Sequence, residues 1–148
     1  MASWGKCDYK GLVKFQQQLA QLDKASCDAF CEAAVKELAA RLLSLVIPAT
    51  PVGKYDQVKK SGKKGGTLRR GWGKAKDITV TKVGNAYQVE IINPVDYASY
   101  VEYGHRTANG GWVPGRFMLT ISEHQLRQMT LGILEKKLEK WLRGVFRG

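Results

Sequence analysis

NPVDYASYVEYGHRTANGGWVPGRF, residues 93–117, joins an apolar strand to a long terminal helix and decides how the rest of the chain is read. Asn93-Pro94 signals a turn, because proline fixes its own φ and pushes the preceding residue out of the helical region. Asp96 can then cap a short helix over Tyr97–Tyr103, in which Tyr97, Tyr100 and Val101 share a face. Gly104 falls where a left-handed C-terminal cap is expected. Residues 105–116, from His105 onward, are too rich in glycine for an interior element, so Trp112 is either a lid on the core or an anchor for another molecule.

Outward from this stretch, two long one-sided patterns flank a hairpin. Leu12, Phe15, Leu19 and Leu22 mark a short amphipathic helix. A longer one, which Asp23 can cap, runs from Lys24 to about Ile47 and carries the stripe Cys27, Phe30, Cys31, Ala34, Val35, Leu38, Leu42 and Leu45; Pro48 and Pro51 end it. Ile78 and Val80 alternate with Thr79 and Thr81, and Tyr87, Val89 and Ile91 alternate on the return strand. Between them Gly84-Asn85 supplies a two-residue turn. A capping box, Thr120 with Glu123 or Ser122 with Gln125, opens the last helix. Its apolar side is Leu126, Met129, Ile133, Leu134, Leu138, Trp141, Leu142 and Val145, with Glu135, Lys136, Glu139, Lys140 and Arg143 opposite. The expected class is α+β: two long amphipathic helices packed on a small antiparallel sheet.

With 148 residues and 44% apolar content, the chain suits a single domain over residues 1–148, with an N-terminal arm at 1–10. No run of eighteen apolar residues is present, and the first residues lack the order of a signal peptide. Cys7, Cys27 and Cys31 have neither disulfide nor zinc spacing, which suits a reducing compartment; Cys27 and Cys31 read as small buried hydrophobes. The net charge of +11 calls for an anionic neighbour, nucleic acid or an acidic protein surface.

Much of that charge sits in residues 52–76, where Lys54, Lys59, Lys60, Lys63, Lys64, Arg69, Arg70, Lys74 and Lys76 face one acid, Asp56. Glycines loosen the segment and apolar residues are few, so it reads as a basic loop whose first half is mobile when free. Gly66-Thr67-Leu68-Arg69-Arg70 lacks the ending and the preceding strand of a phosphate-cradling loop. An enzyme finds little support. His105 and His124 have no paired nucleophile, and Asp77, Glu90, Asp96 and Glu102 show no metal-binding spacing; Glu102 is expected to pair with an Arg or Lys. No cofactor is expected.

The long helix ending in prolines, then Gly66–Arg70, the hairpin, Tyr97-Ala98-Ser99-Tyr100-Val101-Glu102-Tyr103-Gly104 and Pro114-Gly115-Arg116-Phe117 before a last helix form a recognisable order. It resembles the small neck or tail-completion proteins of long-tailed bacteriophages, from about Leu12 to Leu142. The loop before Gly66 is longer and more basic than that family's usual connection, and the family's Arg-Pro-Phe-like turn reads Pro114-Gly115-Arg116-Phe117. The resemblance implies a structural virion protein at the head–tail neck, assembled in the host cytoplasm. It further implies a homo-oligomeric ring, a hexamer, between a head connector or stopper and a tail tube or tail terminator protein, with phage DNA passing through it and no membrane involved. Tyr100, Tyr103, Trp112, Arg116 and Phe117 would then meet the next copy or a neighbour. Lys54, Lys59, Lys60, Lys63, Lys64, Arg69 and Arg70 would face the DNA or an acidic partner. A free, sequence-blind nucleic-acid-binding module is the rival class, although the cations cluster in a glycine-rich loop and no recognition helix is evident.

Overall fold

A computed structural model describes residues 10–20, 22, 24–53 and 65–147. In chain order the helices are α1 (Lys10–Ala20), α2 (Lys24–Ala49), α3 (Thr67–Gly71), α4 (Ala98–Tyr103) and α5 (Met118–Phe146). The strands are β1 (Thr81–Val83), β2 (Ala86–Gln88), β3 (Gly104–Arg106) and β4 (Trp112–Pro114). Residues 1–9, expected as an arm, Asp23, expected as a cap, and residues 54–64 of the basic loop lie outside the described residues.

The two long helices pack against each other and form the frame. Phe30 stacks on Trp141 with ring centroids 4.8 Å apart, and Lys137 reaches the Glu37 carboxylate at 2.8 Å. Residue numbers that rise along α2 meet numbers that fall along α5, so the pair is antiparallel. The stripe expected on α2 is mostly half-buried, and the deepest row, Ala39, Leu43 and Val46, lies beside it. The reason is α3, which docks on that flank and brings Leu68 and Trp72 into a cluster with Leu43, Val46 and Met118. Those two side chains, 4% and 6% exposed, come from the stretch read as a loop with too few apolar residues.

Pro48 does not stop α2, which continues to Ala49. Side chains close the helix end instead. Thr50 Oγ1 donates to the Val46 carbonyl at 2.7 Å and accepts from Trp72 Nε1 at 2.7 Å. The Arg69 guanidinium donates to the carbonyls of Thr50 (2.7 Å) and Pro48 (3.3 Å), oxygens that a helix terminus leaves without partners.

One small sheet was expected; two separate two-stranded antiparallel sheets are found among the described residues, β1–β2 and β3–β4. Gly84, at φ 60°, makes the expected turn, with Val83 paired to Ala86 and Thr81 to Gln88. The ladder stops there, short of the expected strands. Ile78 and Ile91 pack on the core cluster, and a cavity of about 380 Å³ lined by Trp72, Ile78, Thr79 and Glu90 opens beyond the last pair.

The first hairpin is tied to α2 by polar contacts. The Tyr87 hydroxyl donates to Asp28, Lys82 Nζ lies 3.4 Å from the same carboxylate, and that ammonium sits 5.3 Å from the Tyr87 ring centre. The Tyr87 hydrogen bond, aided by Lys82, holds the Asp28 carboxyl below the usual carboxylate range. A folded-state pKa below the unfolded value contributes stability above the unfolded pKa, near 4, and loses it as pH falls through the folded value. Amide-exchange protection factors at Lys82 and Tyr87 are therefore expected to drop below about pH 4 in the wild type. In Asp28→Asn they should start low and change little across the same range; a wild-type pH response in that variant would refute the tie.

Candidate functional site

The segment between the first hairpin and α5 folds by close backbone crossings. Asn93 accepts from the Val95 amide and donates through Nδ2 to the Leu68 carbonyl, which fixes the turn before α4 onto α3. Tyr97 occupies the N-cap position without a side-chain cap, so Asp96 does not play the expected role. Gly104 has positive φ, 85°, but its ψ of 172° is extended, and the chain passes from α4 straight into β3 instead of closing a left-handed cap. A Cβ there would lie 2.5 Å from the Val113 carbonyl oxygen, and one on Gly115 would lie 2.3 Å from that of Glu102. Glycine is what permits these strands to cross.

Residues 105–116, expected as a loop, hold most of the second hairpin: His105 pairs with Val113 and Arg106 with Trp112. Thr107 organises its turn, its amide donating to the Gly111 carbonyl at 2.9 Å and its hydroxyl accepting from the Gly111 amide at 2.9 Å. Glycine content pointed to irregular backbone, whereas here it serves a tight connection between paired strands.

Glu102 is the polar centre of the region and is 6% exposed. It does not pair with Arg or Lys as expected. Its carboxylate accepts from the amides of Leu119 (3.0 Å) and Thr120 (2.9 Å) and from the Thr120 hydroxyl (2.7 Å). An anion at open N–H groups of a helix start is favoured by both hydrogen bonding and the helix dipole. α5 therefore begins at Met118 with a cap delivered from α4, and neither expected capping box is used. Two backbone bonds reinforce the join, Arg116 N–H to the Val101 carbonyl (2.8 Å) and Phe117 N–H to that of Glu102 (3.0 Å).

Around this join the aromatics form a corner. Phe117 meets Tyr103 edge-on with centroids 6.4 Å apart, Tyr100 tilts over His105 at 5.8 Å, and a Cβ on Gly104 would sit 2.9 Å from the Trp112 ring. Three consecutive residues, 103 to 105, thus each carry one aromatic contact. None of the four rings belongs to the core: Tyr100 is 58% exposed, Tyr103 64%, Trp112 61% and Phe117 42%. Arg116 beside them is exposed. Phe117 also holds φ at 48°, a left-handed conformation that costs a bulky residue energy and recurs where function over-determines the backbone.

Lys54, Lys59, Lys60, Lys63 and Lys64 lie outside the described residues. Arg69 is committed to the end of α2, and exposed Arg70 bonds locally to the Gly65 carbonyl and the Thr67 hydroxyl. Gly53 and Gly65, flanking the undescribed stretch, touch each other: a Cβ on Gly65 would fall 2.3 Å from the Gly53 oxygen. His105 Nδ1 is buried without a hydrogen-bond partner, and His124 contacts Gln128 on the exposed side of α5. No group of three His, Cys, Asp or Glu among the described residues could hold a metal, and no described helix is long and apolar enough to cross a membrane. Sequence reasoning missed Thr50 and Trp72, and it read Asn93 as part of a turn without its bond to Leu68. Of the two missed residues only Trp72 carried a signal, a lone large ring between Gly71 and Gly73.

Residues 13–104 match the model of a protein family described as "Bacteriophage HK97-gp10, putative tail-component". The match covers more than half of the chain and ends at Gly104, before Trp112, Phe117 and α5. No curated protein and no solved structure matches the chain.

Removing the buried cap should be costly. Glu102→Ala is expected to lower unfolding stability by about 2–3 kcal/mol, and Thr120→Val by about 1 kcal/mol, in urea titrations. Wild-type stability in Glu102→Ala would show that α5 starts without help from α4.

Proposed function

The chain belongs to the HK97-gp10-like family of bacteriophage tail components, a structural phage protein, and on that premise we propose that it is a neck or tail-completion subunit. In this reading copies of the chain close into a sixfold ring between the head connector and the tail, and phage DNA passes through the centre. The observation that carries it is the aromatic corner. Four rings, Tyr100, Tyr103, Trp112 and Phe117, stand largely in solvent on a backbone held by the part-buried hydrogen bonds of Glu102. Monomeric proteins seldom display such a cluster, and aromatic anchors on rigid supports dominate interface energetics.

A ring needs a heterologous contact, one patch meeting a different patch on the next copy. The corner supplies one side of it, with Arg116 at its edge. Lys59, Lys60, Lys63 and Lys64 belong, in this proposal, to a segment that faces DNA or an acidic surface of an adjoining virion protein. Virion residence in the neck follows from the same reading.

Trp112→Ala and Phe117→Gly separate the interface from the fold. Phe117→Gly removes the left-handed strain but adds backbone freedom, so stability should stay within about 1 kcal/mol of wild type. Both variants should melt like the parent yet fail to assemble in sedimentation and electron microscopy of particles. Normal rings and normal particles from both would reject the corner as the contact. Replacing Lys59, Lys60, Lys63 and Lys64 by Ser should leave folding intact and lower the yield of infectious particles; an unchanged yield would remove that segment from the reading.

A further inference from the structure

The outer face of α5 near its end carries a line of cations that the aromatic corner does not explain. Lys136, Lys140, Arg143 and Arg147 are all exposed and succeed one another by four, three and four residues, so they form one row. At the rise of an α-helix the row is roughly 16 Å long. Glu139 bonds Arg143, whereas Lys136, Lys140 and the Arg147 guanidinium have no ion pair among the described residues. With Glu139 and Gly144 these four line a concavity of about 540 Å³. A Cβ on Gly144 would meet nothing within 4 Å, so the helix backbone is open to close approach there.

The helix dipole accounts for only part of this row. Its negative end favours cations in the last turn, which covers Arg143 and Arg147 but not Lys140 or Lys136, six and ten residues before the helix end at Phe146. An ordinary solvated helix face would intersperse acids, and here the single acid is already bonded. No apolar side chain lines the concavity, so it lacks the anchors of a protein–protein contact. Phosphodiester backbone needs no such anchors, only closely spaced cations.

We propose that this face of α5 binds the phosphate backbone of duplex DNA, without reading its sequence. The site goes beyond the ring reading and does not require it, because every residue in it lies on one helix of one chain. Lys136, Lys140 and Arg147 each neutralise a phosphate, and Arg143 contributes less because Glu139 shares its charge.

The test is fluorescence anisotropy of the full chain with labelled duplexes of about 20 base pairs in two unrelated sequences, between about 50 and 200 mM salt. The variant is Lys136→Gln/Lys140→Gln/Arg147→Gln, checked by thermal melting, with Lys136→Arg/Lys140→Arg as the charge-keeping control. The triple variant should bind both duplexes about tenfold or more weakly, with a log–log salt slope shallower by about 2.7, while the control binds like wild type. An unchanged slope in the triple variant overturns the proposal. So does loss of polyglutamate binding in that variant with DNA binding intact, which would assign the face to an acidic protein. Ring formation is followed separately by sedimentation: absent rings with the DNA result intact would count against the ring reading alone.

Discussion

A carboxylate with no cation beside it holds this structure at its decisive point. Glu102 comes from the last turn of α4, yet it satisfies the first amides of α5 and the hydroxyl of Thr120. The helix dipole replaces a counter-ion here, and partial burial of the bonds lowers the local dielectric around them. The geometry depends on Gly104 and Gly115, where a Cβ would collide with the crossing backbone. With that crossing in place, Phe117 is fixed at a positive φ and the surrounding rings have a rigid base.

The other long helix is finished by the opposite charge. Arg69 donates to the last carbonyls of α2, where a cation suits the negative end of the dipole. Because α2 and α5 run antiparallel, the end of α2 and the start of α5 lie at the same end of the frame. The middle of the chain therefore staples that end with an arginine from α3 and a glutamate from α4. Trp72, bonded to Thr50 and packed with Leu43 and Met118, fills the space between them. Arg69 belongs by sequence to the same basic set as the lysines before it, yet its guanidinium closes a helix end.

Legibility in the sequence followed the range of the interaction. Periodic apolar spacing gave α2, α5 and the short helix at 97–103 closely, and the Gly84-Asn85 turn was placed to the residue. These are local properties of backbone and side chain. Glu102 as a cap, Arg69 on the end of α2 and Trp72 on Thr50 each join residues some 17 to 22 positions apart, which no window of periodicity contains. Composition misled where it suggested loops: a glycine-rich stretch holds most of β3 and β4, and the basic one holds two core side chains. The exposed rings at Tyr100, Tyr103, Trp112 and Phe117 were legible as candidates, since chemistry marked them. Their exposure was not, because it depends on how α4 meets α5.

The aromatic corner and the basic row, the two proposed contact surfaces, stand at opposite ends of α5. The aromatic corner surrounds its first residue, while the basic row begins some 18 residues later, roughly 27 Å along the axis, and extends to the end. That distance exceeds the Debye length of about 8 Å at physiological salt, so charge at one end barely perturbs contacts at the other. Under the two proposals, a neighbouring protein at the apolar anchors and a polyanion at the cations would not displace each other. The ion pair of Lys137 with Glu37, beside the start of the row, fixes α5 on α2, so the spacing belongs to the frame and not to a loop. If both proposals hold, aromatic contact would supply affinity that salt does not weaken, while the basic row would supply a weak, salt-sensitive contact to a polyanion.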